Sequence, residues 1–155
     1  MELDIPGFGC LRVRHLVTDY TGTLSVDGRL LPEVGTVIKK LGQSLEVHVL
    51  TADTFGKAET ELSGVRCTMH IMTGADIAEQ KEQYVGSLGA EQVVAVGNGN
   101  NDRLMLKAAR LGIAVIEGEG CAVTALVNAD IAARNIHEAL ALLLNPKRCI
   151  ATLRF

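Results

Sequence analysis

The sequence has few aromatic residues: two tyrosines, three phenylalanines and no tryptophan make up 3% of its 155 residues. Proteins stack nucleic-acid bases on aromatic side chains, so this scarcity argues against a base-stacking surface. An excess of positive charge is also missing, because the net charge is −3 and the isoelectric point is near 5.8. With 48% hydrophobic residues, the composition predicts an aliphatic core and argues against nucleic acid as a partner.

Cysteine pairs and long apolar runs are absent as well. The four cysteines form no C-x-x-C motif, and no histidine lies at zinc-ligand spacing from them (Cys10, Cys67, Cys121 and Cys149). We expect reduced, mostly buried thiols, as in a cytoplasmic protein. The longest apolar run, Ala139 to Leu144, is too short to span a bilayer. The acidic N-terminus, which contains a proline and two glycines, does not resemble a signal peptide. We therefore expect no membrane partner.

Apolar runs alternate with helical patterns along a chain of one-domain length, residues 1–155. After a short strand and a turn at Pro6 to Gly9, a main strand is expected to end at Asp19. Further strands are expected at 45–51, 65–72, 91–97, 113–116 and 131–133, and helices at 32–42, 54–62, 76–88, 102–111, 122–128 and 136–144. Asp76 is expected to cap its helix, and the tail after Pro146 has no clear pattern. The alternation predicts an α/β fold, a three-layer α/β/α doubly wound parallel sheet of Rossmann-like type. Asp27-Gly28 between apolar residues predicts a small β-hairpin, here called the flap.

Polar residues cluster at four of the expected strand ends. They are Asp19-Tyr-Thr-Gly-Thr, Thr51-Ala-Asp53, the region leading to Lys81, and Gly97-Asn-Gly-Asn-Asn-Asp102. Because ligands bind at the carboxyl ends of parallel strands, we expect these segments to converge. An anionic substrate beside a carboxylate needs counter-charge. The set therefore fits a nucleophile, a phosphate-binding hydroxyl, a lysine and a metal site.

The order and content of these segments resemble the haloacid dehalogenase superfamily of phosphohydrolases, whose first motif is Asp-x-(Asp or Thr)-Gly-Thr. The version here, Asp19 to Thr23, is most similar to the phosphorylation motif of P-type ATPases. Thr51-Ala-Asp53 resembles their Thr-Gly-Asp, and Gly97 to Asp102 resembles their Gly-Asp-Gly-x-Asn-Asp. The match covers roughly residues 12–145. The intervals between the motifs are short, so the resemblance implies a core without a cap domain and without a nucleotide-binding domain.

The resemblance assigns a role to each matching residue. Asp19 is implied as a nucleophile that becomes an aspartyl phosphate. Thr51, the backbone at Ala52, Lys81 and Asn101 are implied to bind the phosphoryl group. Lys57 also follows the Thr51 strand, and Lys81 is preferred because of its distance from the strand that ends at Gly97. Mg2+ is the implied cofactor, with oxygen ligands from Asp19, the carbonyl of Thr21, Asn98 and Asp102.

Two positions depart from the family pattern. Most phosphatases of the superfamily carry a carboxyl group where Thr21 stands, and that group protonates the leaving group and then activates water. Asn98 stands where a metal-binding carboxylate is usual, and its amide brings no charge to the ion. Both departures weaken the expected chemistry.

Three functions remain from the sequence. The leading hypothesis is an Mg2+-dependent phosphohydrolase acting on a phosphorylated small molecule or a phosphorylated macromolecule. The alternative is a catalytically weak or inactive regulatory module that binds phosphate or metal. Dinucleotide binding at Gly97-x-Gly99 is disfavoured, because Asp102 occupies the third glycine position of that fingerprint and would repel a pyrophosphate.

Two further expectations concern surfaces and histidines. A homo-oligomer is expected from an uncapped site and from the apolar segments Ala139 to Leu144 and Cys149 to Phe155. His15, His48 and His70 fall within expected strands and are interpreted as satisfied core or edge residues.

Overall fold

The computed structural model describes residues 1–155, which form ten strands and seven helices. The strands are β1 (Glu2–Ile5), β2 (Gly9–Arg12), β3 (His15–Asp19), β4 (Ser25–Val26), β5 (Arg29–Leu30), β6 (Glu46–Thr51), β7 (Thr68–Ile71), β8 (Val93–Gly97), β9 (Leu111–Val115) and β10 (Ile131–Ala133). The helices are α1 (Val34–Leu41), α2 (Ala58–Glu61), α3 (Ile77–Ser87), α4 (Arg103–Ala108), α5 (Val123–Val127), α6 (Ile136–Leu144) and α7 (Pro146–Leu153).

Six strands form one parallel sheet in the order β10-β9-β8-β3-β6-β7. β3 lies between β6 and β8, and the chain winds outward from it in both directions. All residues of β8 and β9 are buried, as is typical of parallel strands covered on both faces. The three-layer, doubly wound α/β fold expected from the sequence is confirmed.

Apolar side chains on the two faces of the sheet form two separate cores. Neighbouring residues of a strand point to opposite faces, so Leu16 belongs to one core and Val17 to the other. The first core includes side chains of α1, α6 and α7, and the second includes side chains of α3, α4 and α5. Helix α3 therefore covers the same face of the sheet as Val17.

The N-terminal strands differ from the expected continuous main strand. β1 and β2 form an antiparallel hairpin of their own, and the chain leaves it at Val13, whose N–H donates to the carbonyl of Met1. The N–H of Arg14 then donates to the carbonyl of Gln92 beside β8. The change of hydrogen-bond partner at these two residues separates the hairpin from the sheet.

Other local expectations need correction. Asp76 precedes α3, but its side chain accepts no capping hydrogen bond. The four cysteines are free, as expected, yet only Cys149 is buried, while Cys10 is exposed. The tail after Pro146 forms α7. None of the seven helices combines the length and the apolarity that crossing a bilayer requires.

Most apolar side chains of the C-terminal segment are covered, and Phe155, which is 95% exposed, is the exception. Ala139, Leu140 and Leu143 of α6 and Cys149 and Leu153 of α7 are buried in the first core. These five residues therefore pack on the sheet, and the homo-oligomer stays a prediction.

Candidate active site

Three motif segments begin at the carboxyl ends of the three central strands. β3 ends at Asp19, β6 at Thr51 and β8 at Gly97. Asp19 lies opposite Leu50 in the register of β3 and β6. The Asp19 carboxylate and the Thr51 hydroxyl therefore lie at nearly the same level along the strand direction. The flap, β4 and β5, stands beside this edge, and the buried Tyr20 anchors it by donating a hydrogen bond to the carbonyl of Gly28 at 2.9 Å.

A buried lysine joins two aspartates at this edge. Nζ of Lys81, from α3, lies 2.6 Å from Oδ1 of Asp19 and 2.6 Å from Oδ1 of Asp102. Lys81 and Asp102 have no exposed surface, whereas Asp19 keeps 4%. We call these three residues the charged cluster. Asp19 is thus the one member that a ligand from solution reaches.

The cluster holds two carboxylates and one cation away from water, which perturbs their ionisation. Burial is the largest effect on Asp19, and together with the charge of Asp102 it outweighs Lys81 and raises the pKa of Asp19 to about 7. For Lys81, burial disfavours the charged ammonium, but the two carboxylates outweigh it and raise its pKa. The lysine is therefore charged at neutral pH, and Asp19 is close to its titration midpoint.

The loop from Gly97 to Asp102 is folded around the second aspartate. Oδ2 of Asp102 accepts hydrogen bonds from the N–H groups of Asn98 at 3.0 Å and Gly99 at 2.8 Å. A side chain at position 97 would clash, because a Cβ there would lie 2.6 Å from Cγ of Asp102. Both oxygens of Asp102 are therefore engaged within the protein, one with Lys81 and one with the loop.

Asn98 turns its amide oxygen toward the hydroxyl of Thr23. Its Nδ2 donates to the carbonyl of Gly120 at 3.0 Å, and its Oδ1 lies 3.1 Å from the hydroxyl of Thr23. The same hydroxyl lies 3.4 Å from Oδ2 of Asp19. Gly22, at φ 74°, makes room, since a Cβ there would collide with the Asn98 amide. Oδ2 of Asp19 and Oδ1 of Asn98 thus lie beside the same hydroxyl group and face one polar space.

The second motif forms a tight turn after β6. Oγ1 of the buried Thr51 accepts the N–H of Asp53 at 2.8 Å, so its own hydrogen remains available to donate. Asp53, at φ 48°, then caps α2 by accepting from the N–H groups of Lys57 and Ala58, each at 3.0 Å. Asp53 therefore shapes the turn between Thr51 and α2.

The structure separates the two candidate lysines. Lys57 is exposed, and its Nζ lies 3.4 Å from the carbonyl of Asp27 in the flap. Of these two lysines, only Lys81 contacts Asp19. Among the remaining expected residues, Thr21, Ala52 and Asn101 are partly exposed near the strand ends, and none of their side chains makes a hydrogen bond within the protein.

Thr23 is the site residue whose role sequence reasoning did not identify. Its hydroxyl lies between Asp19 and Asn98. The signal was its position in the first motif, four residues after Asp19.

Oxygen donors dominate the polar space beside Asp19. Oδ2 of Asp19 and Oδ1 of Asn98 face it, and the backbone of Thr21 follows two residues after Asp19. Oxygen-only donor sets suit hard cations such as Mg2+. Asp102 fits direct ligation less well, because both of its oxygens already accept hydrogen bonds.

Solved structures of phosphatases share this architecture. A 3-deoxy-D-manno-octulosonate 8-phosphate phosphatase from Moraxella catarrhalis, crystallised with magnesium, phosphate and KDO, matches with a TM-score of 0.69 at 20% identity, over 92% of this chain and 94% of that chain. A structure from Legionella pneumophila, described as an HAD superfamily hydrolase of subfamily IIIA, matches with a TM-score of 0.71 at 17% identity, over 92% of this chain and 88% of that chain. This chain has the haloacid dehalogenase fold. The fold that the motifs implied is therefore confirmed.

The structure of a P-type ATPase also matches this chain. A zinc-transporting PIB-type ATPase in the E2P state matches 79% of this chain with a TM-score of 0.63 at 26% identity, but only 20% of the ATPase is covered. The haloacid dehalogenase fold thus accounts for a small part of that transporter and for most of this chain.

Sequence comparison gives one close relative. The uncharacterised protein MJ0073 of Methanocaldococcus jannaschii is 48% identical over 64 residues, which are 41% of this chain and 69% of the relative. The chain belongs to the same family as this archaeal protein. No family model matches the chain.

Proposed function

We propose that the protein is an Mg2+-dependent phosphohydrolase in which Asp19 is the nucleophile. The observation that carries the proposal is the charged cluster, in which Asp19 alone has exposed surface while Lys81 and Asp102 are buried. A carboxylate that attacks phosphorus must be reachable by substrate and oriented by fixed partners. Asp19 meets both requirements at the carboxyl end of the central strand.

The phosphoryl group is proposed to bind between Asp19 and the second motif. Lys81 supplies a fixed positive charge for its oxygens, and the free hydrogen of the Thr51 hydroxyl donates to one of them. The backbone N–H at Ala52 and the side-chain amide of Asn101 are further donors in the proposal. Asp102 acts through Lys81 and the loop it organises.

Mg2+ is proposed to bind to Oδ2 of Asp19, Oδ1 of Asn98 and the carbonyl of Thr21. When bound, it neutralises negative charge on the phosphoryl oxygens. The magnesium in the Moraxella phosphatase structure supports this cofactor, as does the Asn98 amide, whose nitrogen bonds Gly120 so that its oxygen lies on the side of Thr23.

The reaction proceeds in two displacements. Asp19 forms a bond to phosphorus as the bond to the leaving oxygen breaks, which yields an aspartyl phosphate and a leaving group that departs as an anion and takes its proton from solvent. Water then attacks phosphorus and releases phosphate, and the Asp19 carboxylate is restored. Thr21 cannot donate a proton to the leaving group at neutral pH. We therefore propose substrates with good leaving groups, such as acyl, aryl or anhydride phosphates.

The substrate is proposed to be a phosphorylated small molecule, by analogy with the phosphatases of this fold. The flap alone stands beside the site, and no cap is inserted between β3 and β6. A phosphorylated macromolecule is therefore a second class to assay. We also propose a cytoplasmic location, on the basis of its free cysteines.

Intact-mass measurement after incubation with acetyl phosphate and Mg2+ tests the proposal. The wild-type protein should gain one phosphoryl group and release phosphate, and Asp19→Asn should do neither. Asp4→Asn is the matched control, because Asp4 is exposed and its side chain makes no hydrogen bond. Loss of one catalytic group lowers the rate by about 10²–10⁴-fold. If Asp19→Asn keeps more than about a hundredth of the wild-type activity, Asp19 is not the nucleophile.

A phosphate- or metal-binding regulatory module is the second candidate. Thr21 and Asn98 favour it, since each lacks the carboxyl group that speeds turnover or holds the ion. The lifetime of the phosphorylated protein separates the two functions. Loss of the phosphoryl group within minutes supports an enzyme, and retention for hours supports a regulatory module.

A further inference from the structure

Three potential metal ligands lie at the amino edge of the sheet, at the opposite end of β3 from Asp19. His15 is the first residue of β3 and lies directly opposite Glu46, the first residue of β6. His48 is two residues further along β6, so it points to the same face as Glu46. We call His15, Glu46 and His48 the histidine cluster. The parallel pairing of β3 and β6 therefore brings His15 to the same face of the sheet as Glu46 and His48.

The spacing of the ligand atoms fits a small coordination sphere. Nδ1 of His15 lies 3.2 Å from Nε2 of His48 and 3.6 Å from Oε2 of Glu46. One ligand atom from each residue lies within 4.8 Å of the others. Ligands on a tetrahedral zinc ion with bonds of 2.0–2.2 Å are separated by about 3.3–3.6 Å. The distance from His15 to Glu46 lies within this range, and the distance from His15 to His48 lies just below it.

A hydrogen-bonded chain behind the cluster supports His48. Its Nδ1 lies 2.9 Å from the hydroxyl of Tyr84, and that hydroxyl lies 2.8 Å from Nε2 of His70. If Tyr84 donates to His70, the hydroxyl oxygen accepts the Nδ1–H of His48, and Nε2 of His48 then carries a free lone pair. Metal-binding histidines commonly donate a hydrogen bond from their second ring nitrogen in this way. This hydrogen bond fixes the orientation of the ring and raises its basicity as a ligand.

We propose that His15, Glu46 and His48 bind a divalent transition metal ion such as Zn2+, with water in the remaining position. Two imidazoles and one carboxylate suit Zn2+ or Co2+, whereas Mg2+ prefers oxygen ligands only. In this assignment Tyr84 is a positioning residue that orients His48.

The proposed ion is structural and separate from the phosphoryl site. Asp19 lies four residue steps after His15 along β3, which corresponds to about 13 Å along a strand. The ion would tie the starts of β3 and β6 together. The proposal does not depend on the proposed function.

Zn2+ affinity can be measured by competition with a chromophoric chelator, in excess Mg2+ so that the oxygen-ligand site is held by that ion. Wild type should bind one Zn2+. His15→Gln should bind it at least about 100-fold more weakly, since losing even a second-shell partner costs 10–100-fold. Glu46→Gln provides an independent variant at an exposed position. His137→Gln is the matched control, because His137 lies on α6 and contacts the carbonyl of Pro32.

Two further variants test the role of Tyr84 and the separation of the proposed zinc site from Asp19. Tyr84→Phe should weaken binding by about 10–100-fold without changing the stoichiometry, and Asp19→Asn should bind as wild type does. Visible absorption of bound Co2+ should be present in wild type and absent in His15→Gln. Equal Zn2+ affinity in wild type and His15→Gln, or no Zn2+ binding by wild type, would overturn the proposal. The contact between His15 and His48 would then be only a hydrogen bond between two side chains.

Discussion

Replacing Asp19 by asparagine should change how the stability of the metal-free protein depends on pH. In the folded protein the pKa of Asp19 is raised to about 7, mainly by burial and then by Asp102. In the unfolded chain an aspartate titrates near 3.9. Between these values the folded protein binds a proton that the unfolded chain has released. The contribution of Asp19 to stability is therefore fully present below about pH 4 and is lost as pH rises through 7.

The size of the effect follows from the gap between the two pKa values. About three pH units at 1.36 kcal/mol each give about 4 kcal/mol over the whole interval. Of this, about 2–3 kcal/mol falls between pH 5 and pH 8. Asparagine is nearly isosteric, cannot ionise and leaves Lys81 paired with Asp102. The stability of Asp19→Asn minus that of wild type should therefore grow by about 2–3 kcal/mol over the same range.

Urea unfolding of both proteins in EDTA, at pH 5 and pH 8, measures this difference. Groups that titrate alike in both proteins cancel in the subtraction, and Asp4→Asn controls for the loss of an exposed carboxylate. Adding Mg2+ should stabilise wild type at pH 8 more than the variant. A difference that stays the same at both pH values would show that Asp19 is ionised throughout. In that case Lys81 outweighs burial and the reasoning fails.

Three further substitutions test the remaining assignments. Asn98→Asp adds a charge worth about 1–4 kcal/mol at contact distance, so half-maximal activity should need several-fold less Mg2+ and the metal-free protein should melt lower. Superimposed Mg2+ titrations would show that position 98 is not at the ion. Lys81→Met leaves two buried carboxylates without a cation and should cost about 3–5 kcal/mol in urea unfolding, whereas Lys57→Met should cost less than about 1 kcal/mol; similar losses would contradict the role of Lys81. Thr21→Asp should narrow the rate gap between an aryl phosphate and a hexose phosphate, which general acid catalysis sets at about 10²–10⁴-fold. Equal rates for these two substrates in wild type would contradict the premise.

Local patterns were enough to predict the sheet and its polar edge. Buried parallel strands read as continuous apolar runs, and the motif residues follow them directly, so Asp19, Thr51 and Gly97 could be assigned to strand ends. The pairing of Asp19 with Lys81 rather than Lys57 depended on the family's spacing. The structure supplies the physical reason, because α3 crosses the face of the sheet toward which Asp19 points.

Contacts between distant strands could not be predicted in the same way. Each strand histidine was interpreted singly as a satisfied residue. Only the register of β3 with β6 brings His15 opposite Glu46, and a single sequence does not contain that register. The break after β2 was missed for a similar reason, since Arg14 leaves the hairpin to bond with Gln92, far along the chain. The hydrogen-bond partners of these residues are set by tertiary pairing.

The central position of β3 has a consequence for folding during synthesis. Its neighbour β6 follows after some thirty residues, but β8, on its other side, ends only at Gly97. A chain emerging from the ribosome therefore carries β3 with one open edge for much of its translation. Unpaired edges of apolar strands attract other chains, so the growing chain is most vulnerable to aggregation in this interval. Asp19 stays hydrated until β8 arrives with Asp102 behind it, and we expect the charged groups to be among the last to leave water.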